Sequence, residues 1–430
     1  MIAAALLGPA TAASAQTADV PALRQEIEQL RKEFDAVQQQ YGQRLSALEA
    51  RLGAAAVPAP ATPTAPDAAQ QPTVEVPPGA AGAGGPTGSL PIYGTVSAAS
   101  KIFNPDIAVI GNFLGAAGRN TVNPSPALEM PESEASFQAI VDPYARADFF
   151  FAFGPEGVEV EEGFITFPTV PGGLLVKVGK MRAAFGKVNT LHRHLVPWTD
   201  RPLVITNLAG GEEGIADAGI SAARLITNPW IFLEATGQVY RGNSGELFTS
   251  SKRGDLSYVG HLRAYQDITE DTNVDLGASY ARGHNATGVM DGVDVGRFTT
   301  DIWGVDATVR WRPLQRSIYR SFVGRSELLW TQSDQPAGRQ RSVGYYVAGD
   351  YQFARRWFAG VRYDRSDRSD RADDAGLRDS GQSFLLTFWP SEFSQVRGQY
   401  RRIRYAENEN ANELLFQFQF SIGAHGAHPF

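Results

Sequence analysis

From about residue 105 to its end, this chain repeatedly places apolar and aromatic residues on one parity and polar residues on the other. In the last such segment Leu414, Phe416, Phe418, Phe420 and Ile422 share one parity, while Glu413, Gln417, Gln419 and Ser421 share the other. Earlier, Ala145, Ala147, Phe149, Phe151 and Phe153 alternate with Arg146, Asp148 and Phe150. Trp303, Val305, Ala307, Val309 and Trp311 alternate with Asp306, Thr308 and Arg310. A period of two is the side-chain period of a β-strand. The apolar parity carries aromatics near the strand ends, as a lipid-facing surface with interfacial girdles requires. A strand in lipid must pair all its backbone groups, so the sheet has to close. Counting segments from 105–116 through 411–423 predicts an all-β fold, a 16-stranded antiparallel transmembrane β-barrel over residues 105–430.

Composition agrees with that pattern and excludes several alternatives. The 430-residue chain has 44 Gly, 24 Phe and 14 Tyr, and no Cys. Without Cys there is no disulfide scaffold, no thiolate metal site and no Cys nucleophile. A net charge of −7 argues against nucleic acid as a partner. Beyond the N-terminus no apolar run is long enough for a helical membrane span.

Three segments precede the barrel. Residues 1–15 read as a signal peptide, an apolar run ending in Ala13-Ser14-Ala15 with cleavage before Gln16, although no Lys or Arg precedes the apolar stretch. Residues 16–52 read as a periplasmic coiled-coil helix. Leu23, Ile27, Leu30, Phe34, Val37 and Tyr41 keep a 4-3-4-3-4 spacing, and a stutter follows at Gly42 before Leu45. Residues 53–104 form a Pro/Ala/Gly-rich linker and lead-in with eight prolines between Pro58 and Pro86, too poor in apolar bulk to bury a core. The GAAGAGG run at 79–85 follows no strand and opens no helix, so it reads as linker rather than as a phosphate loop.

Short turns are expected at 142–143, 171–173, 227–229, 269–271, 313–315, 354–355 and 390–392. Long polar stretches alternate with them at 117–133, 187–214, 243–253, 284–297, 334–340, 367–380 and 406–411. That asymmetry is typical of outer-membrane barrels, whose short turns lie on the periplasmic side. The terminal Phe430 stays in register with the lipid parity of the last strand and resembles the aromatic signal by which such barrels are assembled.

Sixteen strands leave an aqueous lumen rather than a packed core. The lumen parity supplies Arg146, His261, Arg263, Arg310, Arg325, Arg362, Arg397 and Arg401, together with Asp148, Glu234, Asp275, Asp306, Glu327, Asp350, Asp364 and Glu413. Both signs occur, as free rings of charge or as arginine–carboxylate pairs bracing the wall. The loop 187–214 is too apolar in Leu191, Leu195, Trp198, Leu203 and Ile205 for open water. It also carries Lys187, His192, Arg193, His194, Asp200 and Arg201. Apolar anchors with charged tips predict that it folds into the lumen as a pore constriction. The expected function is passive diffusion of small hydrophilic solutes or ions.

The stretch LLVKVGKMRAAFG at Leu174 to Gly186, followed by Asp217-Ala218-Gly219-Ile220, resembles the phosphate-selective porin O/P type of outer-membrane porin. The resemblance implies a trimeric sixteen-stranded channel, often with a coiled coil before the barrel, and passage of anions such as phosphate. Its phosphate-binding positions carry over to Arg193, Arg201 and Lys187. The lumen parity here holds no dense basic ladder. Expected partners are outer-membrane lipid, two further copies forming a homotrimer through coiled coil and barrel sides, and the cell wall.

Two alternatives stay open: a structural protein tethering the outer membrane to the cell wall through its coiled coil, and a metal-ion uptake channel. The second would draw on His192-x-His194 and His425-x-x-His428, spacings able to ligate zinc. These pairs read first as ordinary loop and membrane-edge histidines, so no metal and no cofactor is expected. No nucleophile can be placed beside His261, and the chain is not expected to be an enzyme.

Overall fold

Each alternating segment becomes a strand whose two faces meet different media. The computed structural model describes residues 105–423 apart from 156, 246, 286–288, 291, 292, 295–297, 337 and 370–375. The signal-peptide, coiled-coil and linker expectations fall on residues 1–104, and the terminal aromatic on 424–430, outside the described residues.

The first half of the barrel comprises β1 (Asp106–Arg119), β2 (Leu128–Asp142), β3 (Ala145–Gly154), β4 (Gly157–Val170) and β5 (Leu174–Arg182). It continues with β6 (Ala216–Leu225), β7 (Phe232–Tyr240), β8 (Ser257–Thr269) and β9 (Thr272–His284). A separate small hairpin follows, β10 (Val289–Met290) and β11 (Val293–Asp294). The barrel then resumes with β12 (Thr299–Trp311), β13 (Ser321–Gln335), β14 (Gly338–Ala354) and β15 (Trp357–Asp367). It ends with β16 (Arg378–Ser391), β17 (Ser394–Arg404) and β18 (Asn410–Gly423). Sixteen strands pair antiparallel with their chain neighbours, and β1 pairs with β18 from Ala108↔Gly423 to Arg119↔Asn412. The sheet is a closed barrel without an unpaired edge, as lipid demands.

The faces are inverted relative to a soluble sheet. Ile422 on β18 is 63% exposed while Gln417 on the other parity is 1% exposed. Apolar groups face out and polar groups are buried inward, the order expected when the outer medium is lipid. Outer aromatics pair along the wall, Trp303 stacked with Trp330 and Trp357 against Phe388.

The connections depart from the expected lengths at three places. The expected long stretch at 334–340 is instead a tight hairpin in which Gln335 pairs with Gly338. Asp334 and Arg339 sit on the strands themselves and face each other at 2.7 Å. Their polarity marks where strands rise out of the apolar band, not where the chain leaves the sheet. The stretch 117–133 is likewise mostly strand, with β2 already begun at Leu128. Conversely, the expected short turn at 313–315 extends over 312–320, where Arg316 N donates to Pro313 O (3.2 Å) and Tyr319 N to Arg316 O (2.9 Å).

Candidate channel constriction

The long connection between β5 and β6 begins at a pinched neck. Ala183 N donates to Ile215 O (2.8 Å), and the Asn189 side chain donates to Ala183 O and Ile215 O while accepting from Ile215 N (2.7 Å). The loop beyond the neck contains two short 3-10 turns, Val188–Thr190 and Arg193–Leu195, and one helix, α1 (Leu203–Leu208). Phe185, Val188, Val196, Trp198, Val204, Ile205 and Leu208 pack with inward-facing Phe150, Phe164, Ile302, Leu329, Tyr346 and Leu385 of the wall. Burial of that apolar stripe holds the loop against the wall, and α1 lies against β13–β16. Of the apolar anchors expected from sequence, Trp198 and Ile205 are buried and Leu191 and Leu203 partly buried, but Leu195 is exposed.

Charged residues of the loop fasten it at three points. Asp200 meets the wall at β15 and β17: its carboxylate accepts from Arg362 and Arg401 at 2.9 Å each and from Gln399 Nε2 at 2.6 Å. Thr199 adds bonds to Gln399 Oε1, and Arg362 stacks over the Trp198 ring with 5.0 Å to its centroid. Burial acts to raise the Asp200 carboxyl, but Arg362 and Arg401 outweigh it and hold it well below the usual carboxylate range. Lys187 pairs with Asp275 of β9 at 2.8 Å, beside Arg263. Burial, reinforced by Arg263, pulls its ammonium below the ordinary value.

The third point is His192. Its Nδ1 lies 2.6 Å from Glu134 Oε2 and 2.9 Å from Glu161 Oε2, and its Nε2 lies 2.6 Å from Glu162 Oε1. Phe150 packs on the ring, with 4.9 Å between centroids. Burial disfavours charge on this imidazole, yet the three carboxylates outweigh it and raise it well above its ordinary value. His194 Nδ1 lies 3.4 Å from Glu134 Oε2. Arg201 donates instead to carbonyls of its own loop, Val188 O and Leu191 O, and burial together with Arg182 pulls it down to about 10. Arg193 is half-buried, within electrostatic reach of Glu132.

Around the wall most of the remaining charges are matched. Arg146 pairs with Asp148 (2.7 Å), Arg263 with Asp275 (2.7 Å), Arg325 with Asp350, Arg362 with Asp364 (2.7 Å), and Arg401 with Glu413 (2.6 Å). Arg310 lies 4.0 Å from Asp275, His261 bonds Ser279 at 2.8 Å, and Arg397 bonds Gln417 at 2.8 Å. Asp306 and Glu327 face each other across β12 and β13. Glu327 accepts from Val188 N (2.8 Å) and the Tyr346 hydroxyl (3.1 Å), while the Asp306 oxygens accept no hydrogen bond among the described residues. A cavity of about 580 Å³ adjoins the loop, lined by Glu132, Glu159, Glu161, Lys180, Arg182 and Asp217 among others.

Sequence reasoning missed the glutamates. Glu132 and Glu134 share the lumen parity of β2 and were readable as such. Glu161 and Glu162 were not, because neighbours on a regular strand face opposite ways. A bulge resolves this: Phe150 pairs with Glu162 and Phe151 with Val160, leaving Glu161 unpaired, so both carboxylates reach His192.

No family model matches the chain. An uncharacterized protein of Aquifex aeolicus is 28% identical over 368 residues, covering 77% of this chain and 76% of its own. Among solved structures, the trimer form of OmpT, an outer membrane protein of Vibrio cholerae, covers 74% of this chain and 100% of its own, at 11% identity and a TM-score of 0.50. The anion-selective porin from Comamonas acidovorans covers 74% of this chain and 99% of its own, at 10% identity and a TM-score of 0.50. At such identities the likeness concerns the fold alone. That fold is the closed sixteen-stranded barrel of outer-membrane porins.

Proposed function

We propose that this chain is a bacterial outer-membrane channel for passive diffusion of small hydrophilic solutes and ions, with the 187–214 loop narrowing its lumen. The observation that carries the reading is the pairing of an apolar outer face with a polar inner face, with a loop inside tied to separate stretches of the wall. His192 joins the loop to β2 and β4, and Asp200 joins it to β15 and β17. Trimeric assembly takes support from the trimer form of the Vibrio cholerae OmpT. The finer reading, phosphate selectivity of the O/P type, has weaker support. Lys187 is engaged by Asp275 and Arg201 by backbone carbonyls, which leaves Arg193 as the cation with most freedom to meet a passing anion.

Purified protein in planar bilayers should give discrete conductance steps, and reversal potentials in a salt gradient should lack the strong anion preference of a phosphate channel. Absence of conducting steps would sink the channel reading. Millimolar phosphate blocking a chloride current would instead favour the phosphate type.

A further inference from the structure

The two loop histidines and the glutamates of β2 and β4 form more than a mooring. Glu134 belongs at once to two ligand groups, one with Glu132 and His194 and one with Glu161 and His192; in each, the ligand atoms lie within 4.8 Å of one another. We propose that these five residues form a binding site for one divalent transition-metal ion of the zinc class, joining the 187–214 loop to the barrel wall.

The spacing suits such an ion. Nitrogen and oxygen ligands stand about 2.0–2.2 Å from zinc, so tetrahedral neighbours are separated by about 3.3 Å. The imidazole-to-carboxylate separations at Glu134 and Glu161 run from 2.6 to 3.4 Å, so the closest pair would open by roughly 0.7 Å to admit the ion and the others by less. The donor set is mixed imidazole and carboxylate. Imidazole selects zinc and its transition-metal neighbours over calcium and magnesium, which take oxygen ligands.

Glu132, Glu134, Glu161 and Glu162 converge on one space beside the His192 and His194 rings, with Arg182 on Glu161 and Arg193, Lys177 and Arg201 within electrostatic reach of the same carboxylates. Four carboxylates and two imidazoles thus offer more ligand atoms than one ion needs. The β4 bulge brings two consecutive glutamates into the group at the expense of a regular ladder. Glu132 and Glu161 also line the cavity of about 580 Å³, which gives a hydrated ion a route to the ligands. Phe150 and the short Arg193–Leu195 turn orient the two rings. A bound ion would therefore strengthen the loop's tie to β2 and β4, leaving the Asp200 tie to β15 and β17 as it is. This goes beyond the diffusion reading and does not depend on it.

The test is equilibrium dialysis of untagged, full-length protein against Zn²⁺ with metal analysis, and heat-modifiable gel mobility as the check on folding. The expected result is one zinc ion per chain, with binding weakened at least tenfold in Glu134→Gln and His192→Asn. Glu132→Gln, at the half-buried rim, should weaken binding while the barrel stays folded. His425→Ala/His428→Ala should bind as the parent does, and equimolar Ca²⁺ should not displace the zinc. The proposal is overturned if the parent binds no zinc, if the folded glutamate variants bind it equally, or if only the His425/His428 variant loses it. Displacement by equimolar Ca²⁺ would overturn the assignment to a transition metal. A protein that binds zinc but conducts no ions would refute the channel reading and leave this one standing.

Discussion

Asp200 illustrates how one carboxylate can decide whether a loop stays in place. The groups facing it are Arg362 and Asp364 of β15, Gln399 and Arg401 of β17, and Glu413 beyond Arg401. The two arginines hold its folded-state value below that of the unfolded chain, about 3.9. A depressed carboxylate contributes its full stability well above the unfolded value and loses it progressively as pH falls from there through the folded one. The Asp200 contribution to loop anchoring should thus be constant from pH 7 to about pH 5 and decline only in stronger acid. Limited proteolysis of the loop across that range checks it; a sharp rise in cleavage above about pH 5 would assign the anchoring to other groups. Asp200→Asn should cost roughly 3 kcal/mol of anchoring, as when one partner of a buried ion pair is removed. It should also shift the reversal potential toward anions, since a negative charge is lost where two arginines remain. An unchanged reversal potential would show that Asp200 lies off the conducting path.

Backbone geometry at the two ends of the loop separates two glycines that look alike in sequence. Gly186 has φ +58°, and a Cβ there would collide with the Glu327 carboxylate that accepts the Val188 amide. Gly211 has φ +74° with open space around it. Alanine at Gly211 should therefore cost about 1 kcal/mol of left-handed strain. Alanine at Gly186 should cost more, because the Glu327 anchor must move as well, and trypsin should reach Lys187 and Arg193 sooner in that variant. Equal melting temperatures and equal nicking would show that the loop does not rest on Glu327. The strands themselves were readable because a period of two survives any change of neighbour. So was the burial of Trp198 and Ile205, from their apolar character within a charged loop. What those residues meet was not readable, since Arg362 and Gln399 lie more than 150 residues away from Asp200. Turn lengths failed where polarity was taken for loop, as at Asp334 and Arg339. The Glu161 bulge had no signal at all, because it arises from register between strands rather than from either strand alone.

At the scale of the whole molecule, the lumen exists only because β1 meets β18, strands whose paired residues lie 293 to 315 positions apart, from Arg119↔Asn412 to Ala108↔Gly423. Side-chain bonds across that seam are few: Gln417 donates to Asn112 at 2.9 Å and Asn120 to Glu413 at 3.0 Å. Closure must therefore come mainly from the ladder of backbone bonds, and a ladder can slip. The outward pair Val109↔Ile422 tests it. Directly opposed residues of an antiparallel pair have Cα atoms about 4.5–5.5 Å apart, inside the range of about 4.4–6.8 Å that a disulfide spans. The chain has no Cys, so Val109→Cys/Ile422→Cys introduces the only two thiols available. Mild oxidation should join them within one chain, with faster migration of the heated, unreduced protein that reductant abolishes. Val109→Cys/Ser421→Cys places the second thiol on the inner face and should stay reduced, because a one-residue slip sends a side chain to the opposite side of the sheet. Cross-linking of the second pair but not the first would mean the seam is shifted by a residue. That shift would turn the polar parity of β18 toward lipid, an arrangement the bilayer penalises strongly enough to argue for the first outcome.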